Sequence, residues 1–185
     1  RDMLYSETRL PWILPSPNIP TCDTPQYYAS AGIAGDLAGY IQIGVGYTLP
    51  FHVFAARWID PVALKNELDS YNLPGVAFRT IVYKPFSGSQ SGKIVRGVQY
   101  FFTDYEKASL TEVQFRVLQA LAKLYPSHRP FETATSVGSF DKVCGTDYVR
   151  KAFGKRYDFN DIADYWRSDT AKFREMSKKY WIYKN

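Results

Sequence analysis

Two runs of β-branched and aromatic residues, Val76 to Tyr83 and Ile94 to Thr103, flank a segment that gathers Pro85, Gly88, Gly92 and several serines. Strand-forming residues on both sides of turn-forming ones predict two strands joined by a loop. Side chains alternate across a strand, so the second run puts Val95, Gly97, Gln99, Phe101 and Thr103 on one face. Gln99 therefore shares a largely apolar face. A buried amide needs partners, so Gln99 is either held by backbone groups or faces a polar ligand.

The flanking sequence supplies helices to cover this pair. Asp60 followed by Pro61 is a helix start, with Val62, Leu64, Leu68 and Tyr71 as its apolar positions and Leu73-Pro74-Gly75 as its end. Leu110, Val113, Val117, Leu118, Leu121 and Leu124 recur at the spacing of an amphipathic helix that Pro126 stops. Phe51 to Ile59 reads as a further buried strand. Between Pro126 and Phe140 the polar stretch reads as loop, and short helical pieces are expected on either side of Gly145. One long helix closes the chain, capped at Asn160, with Ile162, Trp166, Phe173, Met176 and Tyr180 as its buried stripe.

Two stretches are irregular. Leu10 to Thr24 carries Pro11, Pro15, Pro17 and Pro20, which remove backbone donors and fix φ, so it reads as a rigid connector pinned by Trp12, Ile13 and Ile19. After it, Pro25 to Ser30 has room for one helical turn capped by Thr24. Ala31 to Phe51 holds five glycines in 21 residues, with a short strand expected at Tyr40 to Gly44. That density fits a loop or bulged strand that wraps a ligand or crosses another segment closely.

With 185 residues and 45% hydrophobic side chains, the chain is large enough to bury a core as one domain. No apolar run approaches the roughly 20 residues a membrane span needs. The opening RDMLYSETRL lacks the apolar stretch of a signal peptide, and the absence of an initiator Met leads us to expect a processed product or a piece of something longer. The net charge of +5 sits in Arg150 to Asn185, where ten basic residues face five acidic ones. No nucleic-acid-binding module accompanies it, so a solvated basic helix face is expected. The two cysteines, Cys22 and Cys144, and the two histidines, His52 and His128, lack metal-ligand spacing, so neither a metal nor a cofactor is expected. Whether the cysteines pair is left open by the sequence.

Seven stretches taken together carry a resemblance: LPWILPSPNIPT from Leu10, YTLPF from Tyr47, WIDPVAL from Trp58, LPGVAFR from Leu73, GVQYFFTD from Gly97, FDKVCGTDYVR from Phe140 and DYWRSDTAKFREMSKKYWIY from Asp164. In this order they resemble the C-terminal domain of the exo-β-N-acetylmuramidase (NamZ-like) family, formerly a domain of unknown function. The resemblance implies periplasmic or secreted enzymes that remove terminal N-acetylmuramic acid from peptidoglycan fragments. It also implies two parts, a Rossmann-like N-terminal domain that holds the catalytic carboxylate and a smaller α+β domain beside the cleft. Only the second would be present here, so no catalytic residue is assigned to this chain. Many members carry Glu-Gly and then Ser-x-Gly-Arg-Gly-Thr before Pro-Phe. Here the arginine position is Val45, and the glutamate has no clear counterpart.

The resemblance puts Gln99, in Gly-Val-Gln, at the cleft, followed by Asn18, whose amide would bind sugar hydroxyls as donor and acceptor. Tyr47 would offer an aromatic face or hydroxyl, and Gly46 a close backbone approach in the glycine-rich loop. Together these readings give an α+β domain with a small, mainly antiparallel sheet, packed helices and a long C-terminal helix. Residues 1–24 would form a connector packed on a single domain of residues 25–185. The expected function is the substrate cleft of a peptidoglycan-processing glycoside hydrolase, with a peptidoglycan-derived saccharide and the N-terminal domain as partners, and no nucleic acid. A non-catalytic muropeptide-binding or docking module is the competing reading.

Overall fold

A computed structural model describes residues 2–88 and 90–182. The elements run α1 (Tyr5–Thr8), α2 (Thr24–Gly35), β1 (Val53–Ala56), α3 (Pro61–Ser70), β2 (Val76–Tyr83), β3 (Val95–Phe102), α4 (Val113–Leu124), α5 (Pro130–Thr133), α6 (Gly138–Cys144), α7 (Tyr148–Phe153), α8 (Ala163–Arg167) and α9 (Thr170–Ser177). The three strands form one antiparallel sheet in the order β1-β3-β2. This is the expected α+β class.

The sheet has two unlike faces. Phe54, Phe78, Val98 and Tyr100 point into the main core, where α4 packs against α2 and α3. Burying an aliphatic or aromatic side chain there contributes about 1.5–3 kcal/mol each, which is what holds the helices to the sheet. Phe115 on α4 is fully buried, with Phe153 and Phe159 ring centroids 5.6 and 5.8 Å away, and so ties the later helices to the same core. The opposite face has a smaller cluster of Val53, Ala55, Tyr83 and Val95, with Ile81 of β2 beside it and Tyr47 and Leu49 packed over it.

Helix starts follow the local chemistry. Asp60 Oδ1 accepts from the Val62 and Ala63 amides at 2.9 and 3.2 Å, with Pro61 opening α3. Val62 nonetheless points outward, and only Leu64 and Leu68 of α3 are buried.

Several expectations are corrected. The helix after the connector extends through Gly32 and Gly35, and Thr24 is its first residue rather than its cap. The reason is packing: a Cβ on Gly35 would lie 2.3 Å from Ile43 Cδ1, so glycine lets α2 and the next segment touch. Tyr40 to Gly44 contributes one isolated bridge, Gln42 with Ala55, not a strand. The stretch after Pro126, read as loop, contains α5, whose Pro130 is buried and whose Phe131 packs on the core.

The C-terminal helix is also interrupted. Asp158, not Asn160, caps a 3-10 turn at Phe159–Asp161, and α8 stops at Arg167, where the Ser168 hydroxyl donates to the Tyr165 carbonyl. Beyond that break α9 leaves the core, so Phe173 and Met176 are 62% and 55% exposed and Tyr180 is exposed as well. Ile162 and Trp166, before it, do pack on the core.

Candidate functional site

The sheet face turned away from the helices is covered at one end only. There the segment between Gly44 and Phe51 lays Tyr47 against Tyr83, with ring centroids 4.3 Å apart, over Val53 and Val95. At the other end Ala77 and Arg79 are exposed and Phe101 is half-buried. Gln99 lies between the two.

Strand register decides what Gln99 meets. It is directly opposite Val53 on β1 and Arg79 on β2. Its Oε1 accepts two hydrogen bonds from Arg79, from Nε at 2.8 Å and Nη2 at 2.5 Å. A guanidinium can only donate, so this contact fixes which way the amide is turned. Gln99 is 5% exposed and its Nε2 has no acceptor among the described residues. The Arg79 Cζ is 5.7 Å from the centroid of the Phe101 ring, a cation-π contact. No carboxylate pairs with Arg79 among the described residues, whereas Arg150, Arg156 and Arg167 are paired with Asp141, Asp161 and Glu112.

The other residues singled out from the sequence are placed as follows. Tyr47 shares the face of Gln99 through Val53. Gly46, at φ 82°, accepts from the Phe86 amide at 2.8 Å, and a Cβ there would come within 2.7 Å of the Ser87 carbonyl oxygen. Gly46 thus locks its loop to the β2–β3 connection. Asn18 is half-buried in the N-terminal segment, its backbone N–H donating to Ser16 Oγ at 3.2 Å. No hydrogen bond or ring contact joins Asn18 to Gln99 or Tyr47 among the described residues.

The acidic and basic groups nearby have structural occupations. Asp104 Oδ1 accepts from the Glu106 and Lys107 amides at 3.1 and 3.3 Å, and the Lys107 side chain holds the carboxyl below its ordinary range. His52 stacks on Tyr27 with ring centroids 3.6 Å apart, and burial lowers its pKa despite the opposing pull of Asp23. Both cysteines are free thiols, and burial pushes Cys144 up to about 12. No group of three or more His, Cys, Asp or Glu among the described residues is placed to hold a metal ion. Nor is any described helix long and apolar enough to cross a membrane.

The family model for the C-terminal region of exo-β-N-acetylmuramidase NamZ matches residues 26–183. The chain belongs to this family. It is 33% identical over 183 residues to the peptidoglycan β-N-acetylmuramidase NamZ of Bacillus subtilis strain 168, covering 99% of this chain and 43% of that protein. The crystal structure of a DUF1343-family protein from Bacteroides fragilis NCTC 9343 superposes with a TM-score of 0.93 at 42% identity, covering all of this chain and 48% of that one. The chain therefore spans somewhat under half the length of either relative.

Within this NamZ C-terminal domain, sequence reasoning singled out Gln99 and passed over Arg79. Both lie in stretches that carried the resemblance, but nothing local to either strand says that they are opposite each other. The usable signal was the alternation along β3, which set Gln99 on a largely apolar face as an amide in need of a partner.

Proposed function

We propose that this domain supplies the substrate-contacting side of a cleft that processes peptidoglycan-derived saccharides, within an exo-β-N-acetylmuramidase-like glycoside hydrolase. The observation that carries the reading is the uncovered end of the sheet face. There a buried Gln99 keeps its Nε2 donor available beside an arginine and an aromatic ring, in a chain that belongs to the NamZ C-terminal family. Sugar recognition calls for that combination, in which amide and guanidinium donors meet hydroxyl and carbonyl oxygens and an aromatic ring meets the apolar side of a pyranose.

The catalytic carboxylate belongs, in this reading, to a Rossmann-like N-terminal domain that faces this surface, since glycoside hydrolysis normally needs two acids flanking the bond and the described residues of the open face offer none. Residues 1–24 act as the connector into the domain of residues 25–185. Asn18 and Tyr47 flank the sugar, and Gly46 shapes the loop beneath it. Because the substrate is cell-wall material, the site of action is periplasmic or extracellular.

The test is saccharide titration of the chain, followed by heteronuclear NMR, with N-acetylmuramic acid and muropeptides as ligands. Shifts confined to the amides around Arg79, Gln99 and Phe101 support the reading. Absence of binding, with release of N-acetylmuramic acid by a longer form untouched by Gln99→Leu, rejects it in favour of a docking module.

A further inference from the structure

We propose that Arg79, set by Gln99, is the residue that distinguishes a carboxylated N-acetylhexosamine from its neutral counterpart. This rests on the reading of the sheet face as the saccharide-contacting surface and names the group that would give it selectivity.

The argument starts from the edges of the guanidinium. Arg79 uses Nε and Nη2, its side-on edge, on the single oxygen of Gln99. Five N–H donors are arranged around the planar group, so the end-on edge, with one outward hydrogen on each Nη, is left for another acceptor. Two parallel donors at that spacing match the two oxygens of a carboxylate. No carboxylate of the described chain pairs with it. A hydroxyl or acetamido oxygen would engage only one of the two hydrogens, which is the basis of the discrimination.

The group is also positioned in advance. Gln99 is buried in the central strand, bracketed by Val53 and Arg79, so its Oε1 is a fixed anchor. The Phe101 ring holds the guanidinium from a second direction. An arginine held at two points loses less side-chain freedom on binding than a loose surface lysine would. Gln99 Nε2, adjacent and without an acceptor among the described residues, supplies the neutral contact that any N-acetylhexosamine satisfies. Selectivity and general sugar affinity are thereby carried by different atoms.

The experiment compares three probes on the chain by calorimetry or NMR titration: N-acetylmuramic acid, its methyl ester and N-acetylglucosamine. The native chain is expected to prefer the free acid by about tenfold over both neutral sugars, the range of one charge-assisted contact. In Arg79→Met the ratio of acid to ester should collapse to about one, and Arg79→Lys should restore only part of it, because an ammonium has charge without the fork. Melting temperatures of both variants report on folding. A ratio that persists in Arg79→Met, or one that Lys restores in full, overturns the role of Arg79 while leaving the sugar-binding surface standing. Failure of the native chain to bind any of the three sugars overturns the surface itself, and this inference with it.

Discussion

The Tyr100 hydroxyl lies 2.6 Å from the Phe51 carbonyl oxygen, joining the central strand to a residue held at φ 67°. The Tyr27 carbonyl oxygen is 3.1 Å from the same hydroxyl. One phenolic group at the centre of the core thus fastens the end of the glycine-rich segment and the start of α2 to β3. Tyr100 is fully buried, and burial drives its pKa well upward, so the proton stays on at any ordinary pH. Replacing it with phenylalanine keeps the packing and removes the one hydroxyl proton that the Phe51 and Tyr27 carbonyls share. We expect Tyr100→Phe to cost about 1–2 kcal/mol in urea denaturation, and an unchanged midpoint would count against the anchor.

Gln114 is a further polar group buried in the core. Its Oε1 accepts from the Ala34 amide at 3.1 Å, and its Nε2 donates to the Ala29 and Thr111 carbonyls, both at 3.2 Å. It joins α4 to α2 where apolar packing alone would let the two slide. Gln114→Leu fills nearly the same volume but leaves the amide and carbonyls without this partner. A loss of about 2 kcal/mol is expected, read as a lower thermal midpoint, and a more stable variant would show that the network contributes nothing net.

Gly46 separates bracing from binding. An alanine there puts a methyl within 2.7 Å of both the carbonyl and the hydroxyl oxygen of Ser87, at a φ of 82° that L side chains avoid. Gly46→Ala should therefore destabilise the domain by roughly 1–3 kcal/mol and speed amide exchange at Phe86, whose N–H donates to Gly46. Native exchange at Phe86 in the variant would refute the brace.

His52 predicts how stability depends on pH. Stacked on Tyr27 and partly buried, it has a folded pKa below the ordinary value of about 6.5, so the unfolded chain binds the extra proton first. Its contribution to stability is complete above about pH 6.5 and is lost as the pH falls through the lowered folded value. The melting temperature should therefore drop on acidification from neutrality, and His52→Phe, which keeps a ring against Tyr27, should flatten that drop. Equal slopes in the two proteins would exclude His52 as the group responsible.

Local chemistry was enough for part of this fold. The β-branched and aromatic runs became β2 and β3, Asp60-Pro61 opened α3, and the leucine and valine spacing before Pro126 became α4, because each pattern acts within a few residues of itself. The ordered motifs also carried the family, and the alternation of β3 marked Gln99 as a buried amide. Other features needed the closed structure. The pairing of Gln99 with Arg79 depends on register across the connection from Tyr83 to Val95, and a slip of one residue between the strands would have put the two side chains on opposite faces. The extension of α2 through Gly35 depends on Ile43 arriving beside it, and the exposure of Phe173 and Met176 on a break after Arg167. Periodicity belongs to a short stretch of chain and is legible in its letters. Register and cover belong to pairs of distant segments, and only the packed molecule brings those pairs together.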